Sequence, residues 1–272
     1  MKIEKTKKLD RIDMHLHGYL SSDSSILDYH ELCKKALDYG YKAIAFTEHY
    51  DLIDSEIVEY GIPPLHRYYD LIDLLRTKFP DLVILAGVEL GEPHRVQEFS
   101  RRLFAEQPPD YIIGSLHVTR DGLNVSSRSV GEMTDEEITG YYLENLEMVQ
   151  LGGFDTLGHL GIFKRGWPNH TKNTKKHFFK IIDEILREII KKNICLEVNN
   201  SGLKTVFSEV IPEPEILARY RDMGGELITV SSDAHDLEHF NRFYDKTLDK
   251  LRQIGFRGIW WKNMKIWERI EI

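Results

Sequence analysis

Val83-Ile84-Leu85-Ala86-Gly87-Val88-Glu89 is apolar for six residues and then stops on a carboxylate. A run with no polar alternation suits a strand buried on both faces, as in a parallel sheet covered by helices. Leu227-Ile228-Thr229-Val230 reads the same way. Outward from these two, strand-like runs recur at Arg11 to His15, Lys42 to Thr47, Leu82 to Glu89, Tyr111 to Ser115, Asp155 to His159, Ile194 to Asn199 and Glu226 to Ser231, seven in all. Amphipathic segments fill the gaps. Ile26 to Tyr39 stops at Gly40, Leu65 to Phe79 at Pro80, Asp135 to Leu151 at Gly152-Gly153, and Thr174 to Lys192 before Asn193. Two more helices are expected, one opening near Pro214 and one running from near Glu238 to Ile254. Repeated βα units of this kind predict an α/β barrel of parallel strands. Phe256 to Trp261 reads as an edge strand ahead of a short C-terminal helix.

The 272 residues, 42% hydrophobic and 29% charged, are ordinary for a globular chain. No linker, repeat or low-complexity tract divides them, so one domain over residues 1–272 is expected. The net charge of -8 argues against a surface built for nucleic acid or anionic lipid. No apolar run reaches the ~18 residues of a membrane span. Met1 to Asp10 is lysine-rich but has no apolar leader stretch, which predicts a cytoplasmic location. Cys33 and Cys195 suffice for neither a disulfide framework nor a cysteine zinc site, and read as small buried hydrophobes. Three stretches, Asp51 to Pro64, Arg120 to Gly131 and Phe163 to Asn173, are long for βα connections and could shape the mouth of a site.

In such a barrel the functional groups gather where the strands end. Here the ends read Asp13-Met14-His15-Leu16-His17, Thr47-Glu48-His49, Gly87-Val88-Glu89, Gly114-Ser115-Leu116-His117, Gly158-His159 and Ser232-Asp233-Ala234-His235. His15 and His17 lie two apart in extended chain, so both side chains face the same way and can grip one ion. Asp233 and His235 repeat that spacing. Any one strand-end histidine is more often a hydrogen-bonded structural residue. Six ends carrying ligand-type groups at one rim point to bound cations, because uncompensated carboxylates there would repel one another. The nitrogen and oxygen donors, with no thiolate, suit zinc, iron or manganese in more than one ion.

Taken as a set and in this order, these motifs resemble the PHP (polymerase and histidinol phosphatase) family, and the likeness runs from Asp13 to His235. The resemblance implies a distorted (β/α)7 barrel holding three divalent ions. It assigns His15, His17, Glu89 and Asp233 to one ion, the bridging Glu89 with His117 and His159 to a second, and Asp23, His49 and His235 to a third. Asp23 rests on the likeness most; by itself it also reads as a residue of a helix N-terminal turn, and family members carry aspartate or histidine there. His30, His66, His94, His170, His177 and His239 are read as non-ligands.

The chain also looks like the L-histidinol-phosphate phosphatase branch in its length, in Glu89-Leu90-Gly91-Glu92 and in Asn199-Asn200-Ser201-Gly202-Leu203-Lys204. That implies hydrolysis of L-histidinol phosphate by a metal-bridging hydroxide, within histidine biosynthesis. Arg165 and Lys204 are the candidates for holding phosphate oxygens. The branch usually carries arginine where Lys204 stands, so this chain would bind phosphate there as a point charge. Glu92 is the candidate for the substrate's cationic groups, its other reading being a helix-start carboxylate before Pro93. Asp233 and His235 are the candidates for protonating the leaving group. Three rival readings are a PHP phosphoesterase for another small phosphate or a nucleotide, a silent metal-binding scaffold, and an amidohydrolase. The last lacks its usual bridging lysine at the fourth strand.

Overall fold

The apolar runs pair in chain order. A computed structural model describes residues 10–24, 27–53, 64–127, 133–167, 174–263 and 265–272. Ile26 as a helix start, His170, nearly all of the lysine-rich N-terminal stretch and residues 54–63, 128–131 and 168–173 of the three long loops lie outside the described residues. Strands β1 (Arg11–Leu16), β2 (Tyr41–Tyr50), β3 (Val83–Gly91), β4 (Tyr111–Ser115), β5 (Thr156–Leu157), β6 (Cys195–Asn199) and β7 (Ile228–Ser231) form one seven-stranded sheet in that order. Every pairing is parallel.

The sheet curls until its last strand meets its first. Leu16 bridges Ala234, the His17 amide donates to Ala234 O at 3.1 Å, and the Asp233 amide donates to His15 O at 3.0 Å. Asp13 reinforces this seam by accepting the Ser232 amide at 3.0 Å. Burial drives the Asp13 carboxyl up to about 7, its hydrogen bonds to Ser232 working the other way. The barrel therefore closes at the end where the strands finish, so residues far apart in sequence meet there.

Helices α1 (Tyr29–Tyr39), α2 (Leu65–Lys78), α3 (Pro93–Leu103), α4 (Asp135–Leu151), α5 (Phe179–Lys192), α6 (Pro214–Asp222) and α7 (Tyr244–Ile254) follow the strands in turn. Their ends obey local chemistry. Asp28 caps α1 through the Glu31 amide, Thr134 and Glu137 form a reciprocal capping box on α4, and Pro214 opens α6. Gly40 and Gly255 close α1 and α7 in left-handed conformation, which glycine adopts without strain.

Several elements differ from expectation. The fifth strand is Thr156–Leu157 rather than Asp155 to His159, because Gly158 and His159 already turn into the site loop. Lys176–Phe178 form a separate tight turn before α5, and turns precede α7 until Tyr244. Helix α3 was not foreseen: of its residues only Pro93, Val96 and Ser100 are buried, and the helix kinks at Val96. The C-terminal helix is a correction. β8 (Gly258–Asn263) and β9 (Ile266–Glu271) make an antiparallel hairpin instead. Period-2 burial explains it: Ile259, Trp261 and Ile270 turn inward. The hairpin lies against the opposite mouth of the barrel, where Trp267 meets Tyr111 edge-on, Lys262 pairs with Asp155 and Lys42 sits over Trp261. Among the described residues no helix is long and apolar enough to cross a membrane.

Candidate metal centre

All nine residues expected as ligands converge at the closed rim. His15 is the fifth residue of β1, and His17 follows that strand by one. His49 and Glu89 lie near the ends of β2 and β3, while His117 and His159 each lie two residues beyond their strands. Asp233 and His235 follow β7, and Asp23 sits in a 3-10 turn at Ser22–Ser24.

Glu89 stands at the centre. Its Oε2 is 3.1 Å from His15 Nε2, 3.4 Å from His17 Nε2 and 3.0 Å from His49 Nδ1. Its Oε1 is 3.0 Å from His117 Nε2 and 2.7 Å from His159 Nε2, and accepts the Ser115 hydroxyl at 2.7 Å. Asp233 Oδ1 lies 3.8 Å from His15 Nε2 and 3.5 Å from His17 Nε2. Asp23 Oδ2 lies 2.9 Å from His235 Nε2 and 3.5 Å from His49 Nε2. Asp23 therefore belongs to the cluster. The rings of His49, His17 and His235 stack, with centroids 4.2 and 4.3 Å apart.

These charges act strongly on each other. Burial raises the cost of a charge on Glu89, but His15, His117 and His49 outweigh it and hold its carboxyl well below the usual range. Asp233 is held well below by His15, His17, His235 and Arg165 in the same way, against its burial. Burial also opposes a charge on His15 and His117, yet Glu89 with Glu197 and Asp233, or with Asp51, holds both well above ordinary histidine. His49 rises to about 10, with Glu89 and Asp23 overcoming burial. His17 falls well below, through burial and then its neighbours His49 and His235.

The donor set fits divalent cations. The Nε2 atoms of His15 and His17 are buried and make no hydrogen bond, although carboxylate oxygens of Glu89 and Asp233 surround them. Three donor groups, His15 with His17 and Glu89, His49 with Glu89 and His117, and His17 with His49 and His235, each fall within 4.8 Å. An imidazole and carboxylate set without thiolate suits zinc, iron or manganese. Asp233 also has a left-handed backbone, φ 50°, a conformation that costs roughly 1 kcal/mol or more in a non-glycine residue and that clusters at functional sites.

Around this cluster the expected substrate groups diverge. Arg165 reaches the rim: its Nη1 lies 3.3 Å from Asp233 Oδ2 and its Nη2 donates to Ser126 O at 2.7 Å. Its neighbour Lys164 turns inward to Glu213 and Thr174. Lys204 ends a turn at Ser201–Lys204 and sits close enough to Asp236 and His239 to act on their charges. Glu92 is fully buried, and burial raises its pKa. Its Oε1 accepts the amides of His117 and Val118 at 2.7 and 2.8 Å. Its carboxylate thus holds the His117 backbone in place, because the left-handed turn at Glu92, φ 45°, points it along the β4 loop.

Four supporting carboxylates were not foreseen in these roles. Asp13 braces the seam, and Glu48 accepts the Gly18 amide at 2.8 Å, the Ser21 hydroxyl at 2.5 Å and the Tyr29 hydroxyl at 2.7 Å. Asp51 Oδ1 accepts from His117 Nδ1 at 2.8 Å, and Glu197 Oε1 from His15 Nδ1 at 2.7 Å. The one available signal was acidic residues inside otherwise apolar strands, as in Leu196-Glu197-Val198.

Comparison with known proteins agrees with this architecture. The histidinol-phosphatase of Lactococcus lactis subsp. lactis (strain IL1403) is 26% identical over 259 residues, covering 92% of this chain and 94% of that protein. The crystal structure of histidinol phosphate phosphatase from the same organism, complexed with zinc, L-histidinol and phosphate, superposes with a TM-score of 0.81 at 25% identity, covering 96% and 99% of the two chains. A Listeria monocytogenes structure, 18% identical, shares the fold with a TM-score of 0.73 over 87% of this chain and 99% of its own. The PHP domain profile matches residues 13–201, most of the barrel and seven of the nine rim residues in order. The chain belongs to the PHP domain family.

Proposed function

We propose that this protein is a metal-dependent phosphatase that hydrolyses L-histidinol phosphate to L-histidinol and phosphate. The observation that carries the proposal is Glu89, whose two carboxylate oxygens face two different groups of imidazoles, as a ligand shared between ions must. Support for the substrate comes from the Lactococcus relative, which matches nearly end to end and whose structure holds zinc, L-histidinol and phosphate.

Three ions are assigned. His15, His17, Glu89 and Asp233 hold one, Glu89 with His117 and His159 a second, and Asp23, His49 and His235 a third, with zinc, iron or manganese as the candidates. Bound there, divalent ions supply a deprotonated water at neutral pH and neutralise charge on phosphoryl oxygens. The protein's own groups do the rest. Arg165, 3.3 Å from Asp233, offers its guanidinium to a phosphate oxygen, and Lys204 adds a positive point charge at the same mouth. Asp233 is ionised and enters the reaction as a proton acceptor. Asp233 is placed to return that proton to the leaving oxygen, with His235 3.6 Å away and more accessible at its side chain, 22% against 5%. Glu92 holds the His117 backbone through one carboxylate oxygen and is the candidate for the substrate's cationic groups through the other.

Metal analysis of freshly purified protein, paired with phosphate release from L-histidinol phosphate, nucleotides and simple phosphate esters, tests the proposal. Stoichiometric metal and a strong preference for L-histidinol phosphate are expected. Metal without that preference would move the assignment to another small phosphate, and protein that takes up no metal would end it.

A further inference from the structure

The rim histidines need a fixed tautomer as well as a fixed place, and one buried carboxylate reaches two of them, the ring of His15 and the backbone of His159. Glu197 sits mid-strand in β6, between Leu196 and Val198, with no exposed surface. An anion in that position is costly to desolvate, and an apolar side chain would serve a purely structural barrel better. Glu197 is instead surrounded by donors. Its Oε1 receives His15 Nδ1 at 2.7 Å, the Ser231 hydroxyl, and Asn199 Nδ2 at 3.4 Å, while its Oε2 receives the His159 amide. Asn199 Nδ2 also lies 3.2 Å from Asp233 Oδ2.

An ionised carboxylate only accepts, so the proton of a neutral His15 is confined to Nδ1 and the Nε2 lone pair is left facing Glu89 and Asp233. Outer carboxylates of this kind orient and strengthen metal-ligating histidines. We propose that Glu197 is a positioning residue for the cation site: it sets the tautomer and ring direction of His15 and the backbone position of His159. The inference rests on reading the histidine cluster as a metal centre.

Glu197→Gln keeps the side chain's shape but introduces an N–H that must face one of its present donors. The test uses the full chain, stripped with a chelator and titrated with zinc alone against a chromophoric competitor, with circular dichroism to confirm folding. Wild type should take up zinc, and E197Q should remain folded but bind it about 10- to 100-fold more weakly. Excess zinc should restore most of its phosphatase activity, a rescue that a merely structural lesion would not show. Ser231→Ala removes one donor to Glu197 and should weaken zinc in the same direction by less. An E197Q isotherm that superimposes on wild type overturns the inference. Should E197Q not fold, an unchanged S231A isotherm overturns it and a weakened one supports it. Wild type that binds no zinc would instead sink the metal reading beneath it.

Discussion

Gly91→Ala should damage the metal centre without touching a ligand. Gly91 is the last residue of β3 and has no left-handed backbone, so alanine brings no conformational strain there. The difficulty is space: a Cβ at this position would stand 2.1 Å from Asp51 Oδ1 and 3.1 Å from its Cγ. Ordinary contact begins at 3.4 Å, so the carboxylate must retreat by about 1.3 Å. That same oxygen receives His117 Nδ1–H at 2.8 Å, and a retreat of this size breaks the bond. A buried hydrogen bond to a charged group contributes roughly 1.5 to 3 kcal/mol, which corresponds to about one to two orders of magnitude in an equilibrium constant. Zinc affinity and kcat/KM should therefore each fall about 10- to 100-fold, with the fold intact. The assay is zinc competition plus phosphate release on G91A, D51N and the double variant. If the effect travels through Asp51, adding G91A to D51N should cost little more. Zinc affinity and kcat/KM within twofold of wild type in G91A, or a full additional loss in the double variant, would refute this account.

Other perturbations separate the parts of the site. His117→Ala or Asp233→Asn should leave a folded protein with reduced metal content and almost no activity, measured by elemental analysis and phosphate release. Arg165→Ala should lower kcat/KM about 10- to 100-fold while metal content holds, since it removes one charged hydrogen bond to substrate and no ligand. Zinc uptake should release protons and weaken as pH falls: carboxylates raise His15 and His117 well above ordinary histidine and His49 to about 10, so cations must displace protons from them. Calorimetry in buffers of different ionisation enthalpy measures that release, and zinc affinity independent of pH between 6 and 8, a range set by about one unit around neutrality, would contradict it. Trp261→Ala empties a fully buried position in the hairpin beneath the barrel and should cost about 3 to 5 kcal/mol in denaturant unfolding, with zinc affinity unchanged.

What could be read from the sequence followed from one geometric rule. Buried parallel strands announce themselves as apolar runs, and a run that ends on histidine or carboxylate places that group at the rim. His15, His17, His49, Glu89, His117, His159, Asp233 and His235 were legible for that reason. Asp23 lies in a turn, outside any strand-end pattern, and only family likeness pointed to it. The supporting carboxylates obey no such local rule. Glu197 and His15 are 182 residues apart and Asp51 and His117 are 66 apart, so their pairing exists only once the barrel has closed. Glu92 shows the same limit in reverse. Its neighbourhood in sequence suggested a pocket residue, and nothing local announced that a left-handed turn also brings one of its oxygens to backbone amides of the β4 loop. The edge strand read at Phe256 to Trp261 is present as β8, but the helix expected after it is the strand β9, where Ile270 alone is buried and leaves no period to read before its partner strand is known. Spacing thus reveals groups that act where the chain emerges from a strand. Groups that hold those in place are fixed by closure, and an acid in the middle of an apolar strand, as Glu197 is in β6 and Asp13 in β1, is the mark that closure leaves on the sequence.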